Sequence, residues 1–197
     1  MPQDNVEIKI ILLGDSAVGK TSILTRIIQD KFVEDPASTI GATYSYKKLR
    51  YMNYDIQMQI WDTAGQERYR CLAPIYYRKT NVVFLVYSIN DRNSFNVIDF
   101  WTKSLADNSA NPTLKFLIAN KTDITEGDRI STNEGMEKAN SIDAQYYEVS
   151  AKTGNGINDL LNTVAQMYVE KLNDGSVTIV KDEALEKKQD GDKGCCS

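Results

Sequence analysis

Val6-Glu7-Ile8-Lys9-Ile10-Ile11-Leu12-Leu13-Gly14-Asp15-Ser16-Ala17-Val18-Gly19-Lys20-Thr21 is the stretch on which the fold turns. Val6, Ile8, Ile10 and Leu12 alternate at first, and the run then becomes continuously apolar, the pattern of a strand entering the interior of a sheet. It breaks at Gly14. After the glycine-rich loop, Thr21 to Gln29 carries Ile23, Leu24, Ile27 and Ile28 at helical spacing, so the segment reads as strand, loop, helix. Gly14 to Thr21 fits G-x-x-x-x-G-K-[ST] in the context that gives the pattern meaning. Glycines let the backbone close around phosphates, and loop N–H groups and the helix N-terminus supply fixed positive dipoles. Lys20 reaches for β- and γ-phosphates, and the Thr21 hydroxyl suits Mg2+.

Outward from this loop, Thr43 to Met52 and Asp55 to Trp61 are extended runs flanking Asn53-Tyr54, an expected antiparallel hairpin. Val82 to Tyr87, Leu114 to Ala119 and Tyr146 to Val149 are short apolar strands. They are separated by helix-like segments around Ser94 to Ala106 and Thr132 to Ser141, and a last helix is expected over Ile157 to Leu172. Alternating elements with apolar strands predict an α/β fold: a mainly parallel six-stranded sheet with one antiparallel edge hairpin, helices on both faces, and ligands at the C-terminal strand ends. Residues 6–172 form the expected nucleotide-binding domain. From 173 to 197 charge replaces large apolar residues, the composition of a flexible tail.

The composition excludes several chemistries. With no histidine among 197 residues, Ser-His triads and Zn-His sites are out. A net charge of −4 argues against a nucleic-acid partner. The three cysteines, Cys71, Cys195 and Cys196, form no disulfide framework and fit a reducing compartment. Met1 to Glu7 lacks the features of a signal peptide, and no run approaches the ~20 apolar residues of a membrane span, so attachment to a membrane would be covalent.

Three further motifs follow predicted strands. Asn120-Lys121-Thr122-Asp123 lies after Leu114 to Ala119, where a base would sit. Guanine presents N1–H and N2–H2 as neighbouring donors that the Asp123 carboxylate can accept. Adenine offers an acceptor instead, a mismatch that can cost a factor of about 10^4 to 10^5 at a buried polar site. Ser150-Ala151-Lys152 completes the base pocket, with the Ala151 N–H aimed at guanine O6. Asp62-Thr63-Ala64-Gly65-Gln66 follows the second hairpin strand. Asp62 suits a water-mediated hold on Mg2+, the Gly65 N–H can meet a γ-phosphate, and Gln66 can orient attacking water. Thr39, in the polar stretch between Phe32 and Ala42, offers a second hydroxyl to the metal.

The order and spacing of these motifs resemble the Ras superfamily of small GTPases over about residues 6 to 172. The resemblance implies a P-loop GTP/GDP switch that hydrolyses GTP, with Lys20 and Gln66 catalytic and Mg2+ held by Thr21, Thr39 and Asp62. It places Gly14, Asp15, Ser16, Ala17, Val18, Gly19, Lys20, Thr21 and Ser22 at the phosphates. Phe32 stands beside the guanine, with Asn120, Lys121, Asp123, Ser150, Ala151 and Lys152. Ile40 to Tyr44, Gln57 to Trp61, Gln66 to Arg70, Tyr76 to Arg78 and Val86 to Asn90 resemble the five segments that mark Rab proteins. Tyr69 and Leu72 to Arg78 are similar to the early-endosomal branch.

That likeness implies effector binding through Tyr44, Trp61 and Tyr76 and a monomeric switch in vesicle trafficking. It also implies an exchange factor, a GTPase-activating protein, a GDP-dissociation inhibitor and prenylation machinery as partners. Cys195-Cys196-Ser197 resembles the double-cysteine endings that receive two lipids, which the tail needs because six acids from Asp174 to Asp192 leave it without a basic second signal. The expected location is the cytosolic face of intracellular membranes, endosomal by branch, cycling with the cytosol. Ser16 and Ala17 replace glycines found in some relatives, implying slow intrinsic hydrolysis. Ser88 and Lys79 depart from the Rab segments without touching the nucleotide site. Two other readings stand beside the switch: a P-loop kinase, against which Asp123 argues, and a non-hydrolysing nucleotide-gated binding module.

Overall fold

The computed structural model describes residues 4–34, 38–65, 73–108 and 112–177. Among the described residues twelve elements run in the order β1 (Asp4–Leu13), α1 (Lys20–Gln29), β2 (Ala42–Tyr51), β3 (Tyr54–Thr63), α2 (Ala73–Tyr76), β4 (Val82–Ser88), α3 (Arg92–Asn96), α4 (Ile98–Asp107), β5 (Leu114–Asn120), α5 (Thr132–Ser141), β6 (Gln145–Glu148) and α6 (Ile157–Asn173). The strands form one six-stranded sheet in the order β2-β3-β1-β4-β5-β6, antiparallel between β2 and β3 and parallel elsewhere. This is the architecture expected from the sequence.

The continuous apolar strands are explained by two cores. On one face Val6, Ile8, Ile10 and Leu12 of β1, with Val82, Phe84 and Val86 of β4, pack under Ile23 and Ile27 of α1 and Leu160, Val164 and Tyr168 of α6. On the other, Ile11, Leu13, Val83, Leu85 and Tyr87 meet Phe95, Ile98, Trp101 and Ala139 from the helices α3 to α5. Because successive side chains point to opposite faces, a strand covered on both must be apolar at nearly every position. Burying both faces leaves the loops at the strands' C-terminal ends as the place where polar groups can gather.

Three expectations shift. The hairpin turns at Met52-Asn53, not Asn53-Tyr54: Met52 takes the left-handed φ of 51°, while Tyr51 and Tyr54 stay paired and pack against the core. The helix expected from Ser94 begins at Arg92, because the Asp91 side chain caps the N–H groups of Asn93 and Ser94, and it pauses at Val97. β6 starts one residue early, while Val149 still donates to the Ala119 carbonyl at 2.8 Å. The short α2 had no counterpart in the sequence reading.

α6 is launched by Gly156, whose φ is 74° and on which a Cβ would run into the Glu148 carbonyl. Gly156→Ala should therefore destabilise the chain by about 2 kcal/mol or more, combining left-handed strain with a backbone collision. A clear drop in the thermal midpoint is the expected result, and an unchanged midpoint would refute this account of the β6–α6 junction.

Candidate functional site

The loops after β1, β3, β5 and β6 meet around a cavity of about 580 Å³, within the size range of small-molecule sites. At one end lies the phosphate loop. A Cβ on Gly14 would strike the Val86 carbonyl, so only glycine lets the chain leave β1 this close to β4. Lys20, only 5% exposed, turns its ammonium back to donate to the carbonyls of Gly14 at 2.9 Å and Asp15 at 2.7 Å. Gly65 comes from the end of β3 to pack on the same group, and a Cβ there would collide with Lys20 Nζ and the Asp15 backbone. Ser16, Ala17, Gly19, Lys20, Thr21 and Ser22 line the cavity at this end; Gly14, Asp15 and Val18 stand behind them.

Three oxygens from separate elements converge beside the loop. Thr21 Oγ1 donates to Asp62 Oδ2 at 2.6 Å, lies 2.9 Å from Thr39 Oγ1, and Thr39 donates to the same carboxylate at 3.3 Å. Asp62 is 1% exposed, and its Oδ1 has no hydrogen-bond partner among the described residues. Burial pushes the Asp62 carboxyl above the usual carboxylate range, opposed by the Thr21 hydrogen bond, the Lys20 charge and Thr39. Two hydroxyls and a buried, part-unsatisfied carboxylate fit Mg2+, a hard cation that takes one or two protein oxygens and completes its shell with phosphates and water. Among the described residues there is no cluster of three or more His, Cys, Asp or Glu that could hold a metal.

The other end holds the residues expected around a base. Asp123, Lys121, Ile124, Phe32, Ala151 and Lys152 line it, and Phe32 also packs against the core. Ser150 lies behind: its hydroxyl donates to Asp123 Oδ1 at 2.6 Å while accepting from the Thr153 N–H at 3.1 Å, which aims the carboxylate. The Ala151 N–H, expected to face a base oxygen, donates to Asn120 Oδ1 at 3.1 Å. Asn120 in turn donates to the Val18 carbonyl at 2.9 Å, and thus ties the two ends together.

Glu34, Ser38, Thr63 and Ile124 also line the cavity and were missed, because no spacing rule distinguishes them from ordinary loop residues. Arg26 was missed too: its hydrogen bonds to Ala151 and Lys152 span 125 and 126 residues. Gln66, Cys195 and Cys196 lie outside the described residues, as does the segment Gln66 to Arg70.

On the flank of the sheet the β2–β3 register sets Tyr44 opposite Trp61. Their rings stack at 4.9 Å, and Tyr76 of α2 leans on Trp61 at 5.8 Å, so the three expected aromatics form one continuous surface. Tyr46 extends it edge-on to Tyr44, and Lys9 sits over Trp61 while holding the Tyr76 and Arg78 carbonyls at 2.8 Å. Among the described residues no helix is long and apolar enough to cross a membrane.

The raised Asp62 carboxyl gives a signed prediction. In metal-free protein its burial penalty is fully present above the folded-state value and disappears as pH falls below the ordinary carboxylate range, so Asp62→Asn should raise the thermal midpoint at neutral pH and lose that gain in acid. With nucleotide present the sign reverses, and the variant should lose roughly tenfold or more in Mg2+ affinity. Thermal unfolding with chelator and with Mg2+ reads both; a variant that keeps the full Mg2+ response removes Asp62 from the metal site.

Comparison with known proteins agrees with this geometry. The model of the Ras family matches residues 9–170. Ras-related protein Rab-21 of Rattus norvegicus is 35% identical over 205 residues, covering 96% of this chain and 91% of that protein. The human Rab-21 is likewise 35% identical, over 96% of this chain and 90% of its own, and Ras-related protein RABE1e of Arabidopsis thaliana is 33% identical over 96% and 88%. A family match through all the cavity loops, and relatives sharing a third of their residues along nearly the whole chain, place this protein in the Ras family, as a Rab-type small GTPase.

Proposed function

We propose that this GTPase of vesicle trafficking holds GTP with its base against Asp123 and its terminal phosphates against Lys20, Thr21, Thr39 and Gly65. The observation that carries this reading is the single cavity with an aimed carboxylate at one end and a buried ammonium beside a hydroxyl-carboxylate cluster at the other. Lys20 can exchange its loop carbonyls for β- and γ-phosphate oxygens, and loop N–H groups supply the remaining positive field. Mg2+, held by Thr21 and Thr39 with Asp62 behind, would neutralise the charge that develops between the last two phosphates.

Thr39 and Gly65 read the γ-phosphate, and the Ala64 N–H bond to the Gly41 carbonyl at 2.9 Å couples the two segments that carry them. Loss of the γ-phosphate therefore releases both together. Gln66 orients water in this scheme, and an activating protein supplies the missing transition-state charge, which can be worth about 10^5-fold. Rab membership implies effectors, exchange and activating proteins and a GDP-dissociation inhibitor in general. For this chain the proposal assigns effector contact to the Tyr44–Trp61–Tyr76 surface, beside the switching segments. It assigns membrane attachment, on endosomal membranes, to lipids on Cys195 and Cys196 added by prenylation machinery.

Competition of GTP, GDP and ATP for the Mg2+-loaded protein tests the site. ATP should bind more weakly by about 10^4-fold, and Asp123→Asn should shift preference toward xanthine nucleotides. Under single turnover GTP should be cleaved slowly, and more slowly still by Gln66→Leu. Equal competition by ATP would remove Asp123 from the base site, and an unaffected Gln66→Leu would remove Gln66 from catalysis.

A further inference from the structure

α1 carries the phosphate-facing residues in its first turn and Arg26 in its last. The helix stops at Asp30, which takes a left-handed φ of 53° and donates its N–H to the Arg26 carbonyl at 3.0 Å. The Arg26 side chain, 14% exposed, runs outside the nucleotide cavity along the back of its wall. All three nitrogens of its planar fork are engaged. Nη1 donates to the Asp30 carbonyl at 2.8 Å and to Asp30 Oδ1 at 3.0 Å, Nε donates to the Ala151 carbonyl at 2.9 Å, and Nη2 donates to the Lys152 carbonyl at 2.7 Å. A rigid guanidinium with several donors can bind such a divergent set of acceptors, whereas an ammonium on a flexible stem cannot reproduce it.

Each carbonyl held in this way also fixes the N–H across the same planar peptide. Holding the Lys152 carbonyl orients the Thr153 N–H, which donates to Ser150 Oγ at 3.1 Å, and Ser150 Oγ donates to Asp123 Oδ1 at 2.6 Å. A continuous path of polar contacts therefore leads from Arg26 to the carboxylate that faces the base. On its other side Arg26 fixes Asp30, from which the chain proceeds directly to Phe32 and Glu34, both of which line the cavity.

We propose that Arg26 is a positioning residue for the base end of the cavity: by pinning the loop of residues 150–153 and the start of the loop after Asp30 to α1, it sets the lifetime and base selectivity of the bound guanine nucleotide. The inference rests on the assignment of guanine to the Asp123 end. Among the described residues the Arg26 side chain bonds Asp30, Ala151 and Lys152, on the base side of the proposed site, so the inference concerns nucleotide retention and not cleavage. An exchange factor that displaces the loop after Asp30 would, through this residue, also loosen the grip on the base.

The test uses the full chain loaded with Mg2+ and GDP. Removing charge-assisted hydrogen bonds from the wall should make Arg26→Ala release GDP on the order of tenfold faster or more. The preference for GDP over IDP, which lacks the N2 amine that Asp123 accepts, should fall in the same variant. Arg26→Lys should remain defective, Asp30→Gly should stay near wild type because glycine accepts the left-handed φ and the contacts to Ala151, Lys152 and the carbonyl of residue 30 survive, and single-turnover cleavage of bound GTP should change by no more than roughly twofold. If Arg26→Ala fails to fold, Arg26→Gln carries the same comparison. Unchanged GDP release with an unchanged GDP-to-IDP ratio overturns the proposal, even if the thermal midpoint falls. A wild-type protein that prefers GDP neither to IDP nor to ATP would instead overturn the base assignment itself, and this inference with it.

Discussion

The Asn120 side chain is the fixed point of the site. It is 1% exposed at the end of β5, and its amide spends one end on the Val18 carbonyl of the phosphate loop and the other on the Ala151 N–H of the β6–α6 loop. A buried amide is costly unless paired, so these two loops cannot separate without leaving polar groups stranded. Gly19 makes the approach possible: a Cβ there would run into Asn120 Nδ2, and its φ of 97° is one that glycine accepts readily. The spacing between the two ends of the cavity is thus set by one side chain, itself held by the parallel pairing of β5 with β4.

Around that point the fold keeps charge where an apolar interior would exclude it. Lys20 and Asp62 are both nearly inaccessible, one bonded to loop carbonyls and the other to threonine hydroxyls. Their burial weakens the free protein locally and makes the same residues sensitive to a charged ligand, since low-dielectric surroundings strengthen any charge that arrives. The two apolar cores supply the rigidity against which this local cost is held.

Much of this was legible in the sequence because the chemistry is written in contiguous motifs placed after apolar strands. Gly14 to Thr21 could be found from a short pattern, Asp62 to Gly65, Asn120 to Asp123 and Ser150 to Lys152 gained meaning by following it after strands, and the sheet brings those loops to one end. What could not be read depends on contacts between distant segments. Asn120 was assigned to the base but also ties two loops, and the Ala151 N–H was assigned to a base oxygen but is engaged with Asn120. Arg26 looks like an ordinary surface cation of a helical stripe until its partners, more than a hundred residues away, are in place. The hairpin register moved by a turn residue because the sequence contains no glycine to mark the left-handed position that Met52 occupies.

In the proposed function the two ends of one cavity act separately, the base held by a rigid wall and the γ-phosphate by segments that can let go. Amide hydrogen exchange tests this most directly, comparing the Mg2+-loaded protein bound to GDP with the protein bound to a non-hydrolysable GTP analogue. The account predicts added protection with the analogue at residues 38–42 and 63–65, and no change at 120–123 and 150–153. Equal exchange of the first two segments in both states, or a difference that falls on the base loops, would contradict it.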